Sequence, residues 1–140
     1  DEPIIAAIPA GNPLTRHPPS MKELSEWPMI TFPSGPGPNF ADLTQGLFHR
    51  RGLRVNVMQQ VNDLQTALSL VASDMGFTLV PEQVRRLNRE GVDYMPLEDD
   101  NISVPVIASR RRGENPNAVM RLANTILDEL VENRLTGRYP

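Results

Sequence analysis

Apolar residues along this chain fall into short unbroken runs and into longer segments where they recur every three or four positions. The runs are rich in β-branched residues and predict strands, whereas the periodic segments predict helices with one apolar face. Strands are predicted over residues 4–8, 29–32, 55–57, 77–80, 93–97 and 104–108. Helices are predicted over residues 21–26, 40–51, 64–75 and 116–135, with a short helix that takes Pro81 as its first residue. This alternation indicates an α/β fold with helices on both faces of the sheet.

Residue types suited to helix ends support these boundaries. The expected caps at helix starts are Ser20, with Glu23 as its capping-box partner, then Asn39, and then either Asn62 or Asp63. The expected stops are Gly52, Gly76 and Gly137.

Composition and charge narrow the possible functions. The 140 residues are enough for one core, and the absence of cysteine excludes disulfides and thiolate chemistry. Two histidines, His17 and His49, lie far apart in the sequence, so we expect no metal site and no cofactor. The net charge of −3 argues against a stand-alone DNA-binding domain, because phosphates dominate nucleic-acid affinity. No apolar stretch approaches the length of a membrane span, so no membrane partner is expected.

A proline- and glycine-rich loop that leads into a helix is the most informative local feature. Residues 33–39 cannot form regular structure, and the helix that follows begins near Phe40. The first backbone N–H groups of such a helix suit a carboxylate or phosphate, and Phe40 would add an apolar surface beside it. The motif alone also fits a plain loop-to-helix junction, which is the more frequent case.

Other candidate residues have simpler interpretations. Leu64 starts a helix soon after a strand, where open α/β sheets place ligand contacts, but by itself the position favours a simple core residue. The basic run 110–112 could bind a phosphate and the acidic run 98–100 a cation, but both runs are expected to face water. Neither histidine has a fixed acidic partner that would activate a serine, so an enzyme is the less favoured hypothesis.

Three segments resemble the effector-binding domain of LysR-type bacterial transcriptional regulators. They are EPIIAAIPAGNPLTRHPPSMKELSEWPMITFP, SGPGPNFADLTQGLFHRRGL and DLQTALSLVASDMGFTLVPEQV. The second segment looks most like the subgroup that controls aromatic catabolism in response to muconate, benzoate or chlorocatechol. In the third, Ser73 and Asp74 replace the more usual alanine and glycine.

The resemblance implies a Rossmann-like three-layer subdomain of a periplasmic-binding-protein-like (type II) effector domain. Residues 1–8 would then be a crossover strand, residues 9–103 the second subdomain, and residues 104–140 the return crossover strand and a helix of the first subdomain. Most of the first subdomain and the winged helix-turn-helix are expected to lie outside this chain, so that DNA would be a partner only through that separate domain.

The resemblance also implies a site. The residues that match effector contacts are Ser34, Gly37, Pro38, Asn39 and Phe40 in the loop, Leu64 on an apolar wall and Val106 on the return strand. The implied ligand is a small carboxylate such as muconate or benzoate, although Gly37 stands where some relatives carry a basic residue. The implied protein is cytoplasmic, has no catalytic residue, and forms dimers or tetramers. The alternative is a stand-alone solute-binding or small α/β enzyme domain.

The last predicted helix carries an apolar stripe that needs a partner. Its members are Val119, Leu122, Ala123, Ile126, Leu127 and Leu130. We expect the chain to self-associate through residues 116–135, because exposing so many large apolar side chains would cost several kcal/mol.

Overall fold

A computed structural model describes residues 2–32, 40–99 and 102–104. Its strands are β1 (Glu2–Pro9), β2 (Pro28–Thr31), β3 (Asn56–Gln60), β4 (Thr78–Pro81), β5 (Val92–Pro96) and β6 (Ser103–Val104). Its α-helices are α1 (Met21–Ser25), α2 (Phe40–His49) and α3 (Leu64–Ala72), and two 3₁₀ helices span Pro13–Thr15 and Glu82–Leu87. The predicted alternation of strands and helices is confirmed over these residues.

The strands form two groups that meet at one point. Strand β1 lies between β4 and β5 and pairs antiparallel with both, and it also pairs with β6 at Glu2 and Pro3. Strands β2 and β3 pair in parallel. We refer to β4–β1–β5 as the antiparallel half of the sheet and to β2–β3 as the parallel half.

Among the described residues, one bridge joins the two halves. Met29 of β2 is bridged in parallel to Phe77, which immediately precedes β4. The Ile30 N–H donates to the Phe77 carbonyl at 2.8 Å, and the Phe77 N–H donates to the Pro28 carbonyl at 3.0 Å. The Pro28 oxygen lies only 2.4 Å from where a Cβ on Gly76 would stand, and Gly76 has φ +155°. Glycine at position 76 is therefore required by the close approach of the two chains.

The core lies on both sides of β1. This strand is buried from Ile4 to Pro9, as its unbroken apolar run predicts. Helix α3 contacts β1, β2, β4 and β5. The Phe48 ring of α2 lies 6.2 Å from the Phe77 ring at the junction of the two halves. Residues of all three α-helices and of the central strands therefore share one apolar cluster.

The ends of α2 and α3 share one hydrogen-bond pattern. At α2, Leu53 N–H donates to Phe48 O and Gly52 N–H to His49 O, with Gly52 at φ +68°. At α3, Met75 N–H donates to Leu70 O and Asp74 N–H to Val71 O, with Asp74 at φ 62°. Both are Schellman endings, which need a left-handed residue.

Several predicted boundaries are wrong. Gly76 does not stop α3, because Asp74 supplies the left-handed residue, and Met75 is exposed rather than on the apolar face. Strand β3 begins at Asn56 and runs to Gln60, so Val55 lies outside it. The predicted short helix is present as a 3₁₀ helix, but it begins at Glu82, and Pro81 is instead the last residue of β4. The predicted helix 116–135, the strand beyond Val104 and the basic run 110–112 lie outside the described residues.

Candidate functional site

The candidate site lies at one edge of the sheet. Strands β2, β3, β4 and β5 all run in the same direction and β1 runs opposite to them. Their carboxyl ends therefore share an edge with the first residues of β1. Open α/β sheets bind ligands in the crevice outside these ends, because the helix N-termini that follow the strands also face it.

Phe40 opens α2 at this edge. Its side chain is 5% exposed, and its ring packs edge-on against Phe32, with centroids 6.2 Å apart and planes at 69°. Phe32 directly follows β2, so the pair connects the end of the strand to the start of the helix. Thr44 donates its hydroxyl to the Phe40 carbonyl at 2.9 Å, which strengthens the first turn. The start of α2 is therefore held by aromatic packing.

Leu64 opens α3 at the same edge, and its side chain is completely buried. The residue before it, Asp63, caps the helix. Its carboxylate accepts the Thr66 N–H at 2.8 Å and the Thr66 hydroxyl at 2.8 Å. The Thr66 backbone hydrogen bond is the main cause that lowers the pKa of Asp63, and the hydroxyl adds to it. Asp63 is the cap, whereas Asn62 is not.

The 3₁₀ helix Glu82–Leu87, which follows β4, has its own carboxylate. Glu2 at the start of β1 accepts the Gln83 N–H at 3.0 Å and the Gln83 side-chain amide at 3.2 Å. The first N–H groups at this point and at α3 thus already bind acidic side chains of the chain itself. An external anion would have to displace them.

The structure describes only part of the predicted effector site. Phe40 and Leu64 begin the two helices that follow the neighbouring strands β2 and β3, so they lie at one edge as expected. Both side chains are buried in the core cluster, which fits the interpretation of Leu64 as a core residue. The remaining site predictions lie outside the described residues: Ser34, Gly37, Pro38, Asn39 and Val106.

The prediction that the acidic run 98–100 faces water is wrong at Asp99, whose carboxylate binds two other parts of the chain. One oxygen of this carboxylate accepts the Met21 N–H at 3.0 Å, and the other accepts Arg51 Nε–H at 3.1 Å. Sequence reasoning missed these contacts because Asp99 lies 78 and 48 residues from its two partners. No local pattern links residues so far apart.

Residues 2–32, 40–99 and 102–104 contain no group of three His, Cys, Asp or Glu side chains arranged to hold a metal ion. In the same ranges, every helix is too short or too polar to cross a bilayer.

Comparison with known sequences identifies the family. The sequence profile described as LysR substrate binding domain matches residues 1–131. The chain is 35% identical over 129 residues to the HTH-type transcriptional regulator CatR of Pseudomonas putida, a match that covers 92% of this chain and 45% of CatR. It is 28% identical over 129 residues to the HTH-type transcriptional regulator BenM of Acinetobacter baylyi, covering 90% of this chain and 42% of BenM. The chain thus spans less than half the length of these relatives.

Solved structures share the fold. The BenM effector binding domain with its effector benzoate superimposes with a TM-score of 0.65 at 24% identity, covering 94% of this chain and 61% of that chain. The LysR family transcriptional regulator CbnR gives a TM-score of 0.63 at 20% identity, covering 89% of this chain and 44% of that chain. The fold is therefore that of a LysR effector-binding domain. The profile match and the CatR identity place this chain in the family of LysR substrate-binding domains.

Proposed function

We propose that this chain is the ligand-sensing part of a LysR-type transcriptional regulator that binds a small carboxylate effector and controls a catabolic operon. The observation that carries the proposal is the start of α2. This helix begins at the carboxyl edge of the sheet, directly after residues 33–39. The chain also belongs to a family whose solved member BenM binds benzoate. We place the effector carboxylate at the first turn of α2.

Two neighbouring helix starts at this edge already bind carboxylates of the chain; α2 also carries an acidic residue, Asp42, in its first turn. The start of α3 already binds the Asp63 carboxylate, and the 3₁₀ helix after β4 already binds Glu2. An anion directed to either point would meet a negative charge. At α2, the buried ring pair Phe32–Phe40 supports the first turn from the core side, and the N–H groups of that turn suit a carboxylate.

The remaining contacts follow from the same proposal. Ser34, Gly37, Pro38 and Asn39 would complete the carboxylate site, and Leu64 would support its wall from the start of α3. Val106 would contribute from the return strand. Because Gly37 has no side chain, the helix amides would carry most of the anion recognition, and muconate and benzoate are the first ligands to test.

The domain organisation is proposed from the family. Residues 1–8 are the crossover strand, residues 9–103 the second subdomain, and residues 104–140 the return strand and a helix of the first subdomain. DNA would bind through a separate helix-turn-helix domain of the regulator, which acts in the cytoplasm as a dimer or tetramer. A non-catalytic role is supported by relatives that are named transcriptional regulators.

A comparison of two ligands tests the proposal. Benzoate and benzamide have almost the same shape, but only benzoate carries a charge. In titration calorimetry we expect benzoate to bind and benzamide to bind at least tenfold more weakly, because charge-assisted hydrogen bonds are the stronger ones. Phe40→Ala should weaken benzoate binding, whereas Met58→Ala on β3 should not. Equal affinity for both ligands, or a Phe40→Ala variant that binds like the parent, would contradict the assigned site.

A further inference from the structure

Three buried threonines differ in what their hydroxyl groups contact. Thr31, Thr44 and Thr78 are each 1% exposed. The Thr44 hydroxyl donates to the Phe40 carbonyl at 2.9 Å, within the first turn of α2. The hydroxyls of Thr31 and Thr78 have no hydrogen-bond partner among the described residues. A buried polar group without a partner lowers the stability of a protein, so a function is worth seeking for each of these two hydroxyls.

Thr31 lies at the carboxyl edge of the sheet, on the face that carries α2. It is the last residue of β2. The face is identified by Phe77, whose ring packs against the Phe48 ring of α2. Met29 is the bridge partner of Phe77, so the two side chains lie on the same face. Because side chains alternate along a strand, Thr31, two residues after Met29, also lies on the α2 face.

The first turn of α2 lies beside this end of β2. Phe32 directly follows Thr31, and its ring packs against the Phe40 ring with centroids 6.2 Å apart. The first N–H groups of an α-helix have no acceptor within the helix, and a threonine hydroxyl is a further donor. The end of β2 and the start of α2 therefore bring hydroxyl and amide donors together at one point of the carboxyl edge.

We propose that the Thr31 hydroxyl donates a hydrogen bond to the effector carboxylate, beside the first N–H groups of α2. The inference rests on the function proposed above and adds a residue that determines specificity. Binding gives the buried hydroxyl the acceptor that the described residues do not provide. Since hydrogen bonds to a charged acceptor are the stronger ones, Thr31 favours a carboxylate over a neutral ligand of the same shape.

Thr78 provides a matched control. It is the first residue of β4, which runs in the same direction as β2, so it lies at the opposite edge of the sheet. It follows Phe77, so its side chain lies on the face away from α2. Its hydroxyl is as buried as that of Thr31 and also has no partner among the described residues, but it lies far from the proposed site. Valine removes the hydroxyl of either threonine at nearly constant shape.

Titration calorimetry with benzoate, combined with urea denaturation of the ligand-free chain, tests the proposal. We expect Thr31→Val and Thr78→Val both to raise the urea midpoint, because each removes a buried hydroxyl without a partner. Thr31→Val should weaken benzoate binding about tenfold or more, whereas Thr78→Val should change it less than about twofold. Thr31→Ser keeps the hydroxyl and should bind benzoate within about threefold of the parent.

Several results would overturn the proposal. Thr31→Val that binds benzoate as tightly as the parent would show that the hydroxyl does not contact the ligand. Equal losses in Thr31→Val and Thr31→Ser would show that the shape of the side chain matters and not its hydroxyl. A lowered urea midpoint in Thr31→Val would show that the hydroxyl already has a stabilising role in the free protein. Equal losses in Thr31→Val and Thr78→Val would show a general effect of the core.

The failure of this inference can be told from the failure of the proposed function. If the parent chain binds benzoate and Thr31→Val binds it equally well, only the role of Thr31 is wrong. If the parent chain binds neither benzoate nor muconate, the proposed function is wrong and the role of Thr31 is wrong with it.

Discussion

The two halves of the sheet differ in how deeply their strands are buried and in which residues follow the strands. In the antiparallel half, β1 is buried along Ile4–Pro9 between two neighbours. In the parallel half, β3 has β2 as its partner and four of its five residues are exposed. The candidate site residues Phe40 and Leu64 follow the parallel half, whereas the hydrogen bonds between Glu2 and Gln83 belong to the antiparallel half. The most buried strand and the candidate site thus lie in different halves of the sheet.

The largest expected effect comes from the centre of the antiparallel half. Ile8 is completely buried in β1, so Ile8→Ala should lower the free energy of unfolding by about 3–4 kcal/mol through lost burial and a residual cavity. Met58→Ala in β3 removes a side chain that is 42% exposed and should change it by less than about 0.5 kcal/mol. Chemical denaturation of both variants measures the contrast. Equal losses would mean that the two halves do not differ in their contribution to stability.

The next effect concerns the junction between the halves. Gly76→Ala places a Cβ against the Pro28 oxygen at a positive φ, so it should lower the free energy of unfolding by about 2–3 kcal/mol. Gly46→Ala in α2 meets no atom within 4 Å and should instead stabilise the protein by about 0.5–1 kcal/mol. Thermal unfolding followed by circular dichroism gives the sign of each change. A harmless Gly76→Ala would show that the two halves are not closely joined at this point.

The smallest effect concerns the cap of α3. Asp63→Ala should cost about 1 kcal/mol at neutral pH, since the Thr66 N–H loses its acceptor. Folding lowers the pKa of Asp63, so its charged form stabilises the fold above the ordinary aspartate pKa of about 3.9, and this stabilisation is lost as the pH falls through the folded pKa. Denaturation from pH 7 to pH 2 checks this.

Asp63→Asn separates the cap from the charge. Asparagine caps a helix as well as aspartate does, so this variant should be as stable as the parent at pH 7. It should lose less stability than the parent between pH 7 and pH 2, because it has no carboxylate to protonate. If Asp63→Asn and the parent protein lose the same amount of stability on acidification, the charge of Asp63 does not contribute to that loss.

The sequence predicted the buried parts of the fold better than the edges. The unbroken run at β1 and the three-four spacing of α3 reflect burial, which selects apolar residues at every contact. Strand β3 lacks such a pattern because most of its side chains are exposed, and its limits were misplaced. Asp74 was noted only as a departure from the family's glycine. Its φ of 62° shows that the position ends α3 in a left-handed conformation.

The candidate site was predicted only in part. Local signals identified the helix starts at Phe40 and Leu64, since caps and spacing lie within a few residues of each other. The partners of Asp99 and Glu2 could not be predicted, because these contacts join residues 48 to 81 positions apart and exist only in the folded chain. The remaining site residues depend on the family resemblance and stay predictions.

The central claim is that a carboxylate effector binds at the start of α2. Titration of the ¹⁵N-labelled chain with benzoate, followed by two-dimensional NMR, tests it residue by residue even when affinity is low. We expect saturable shifts concentrated at the amides of the non-proline residues among 34–41 and at Leu64, with Met58 on β3 unmoved and with benzamide producing much smaller shifts. Shifts that are absent from residues 34–41, or equal for benzoate and benzamide, would contradict the account.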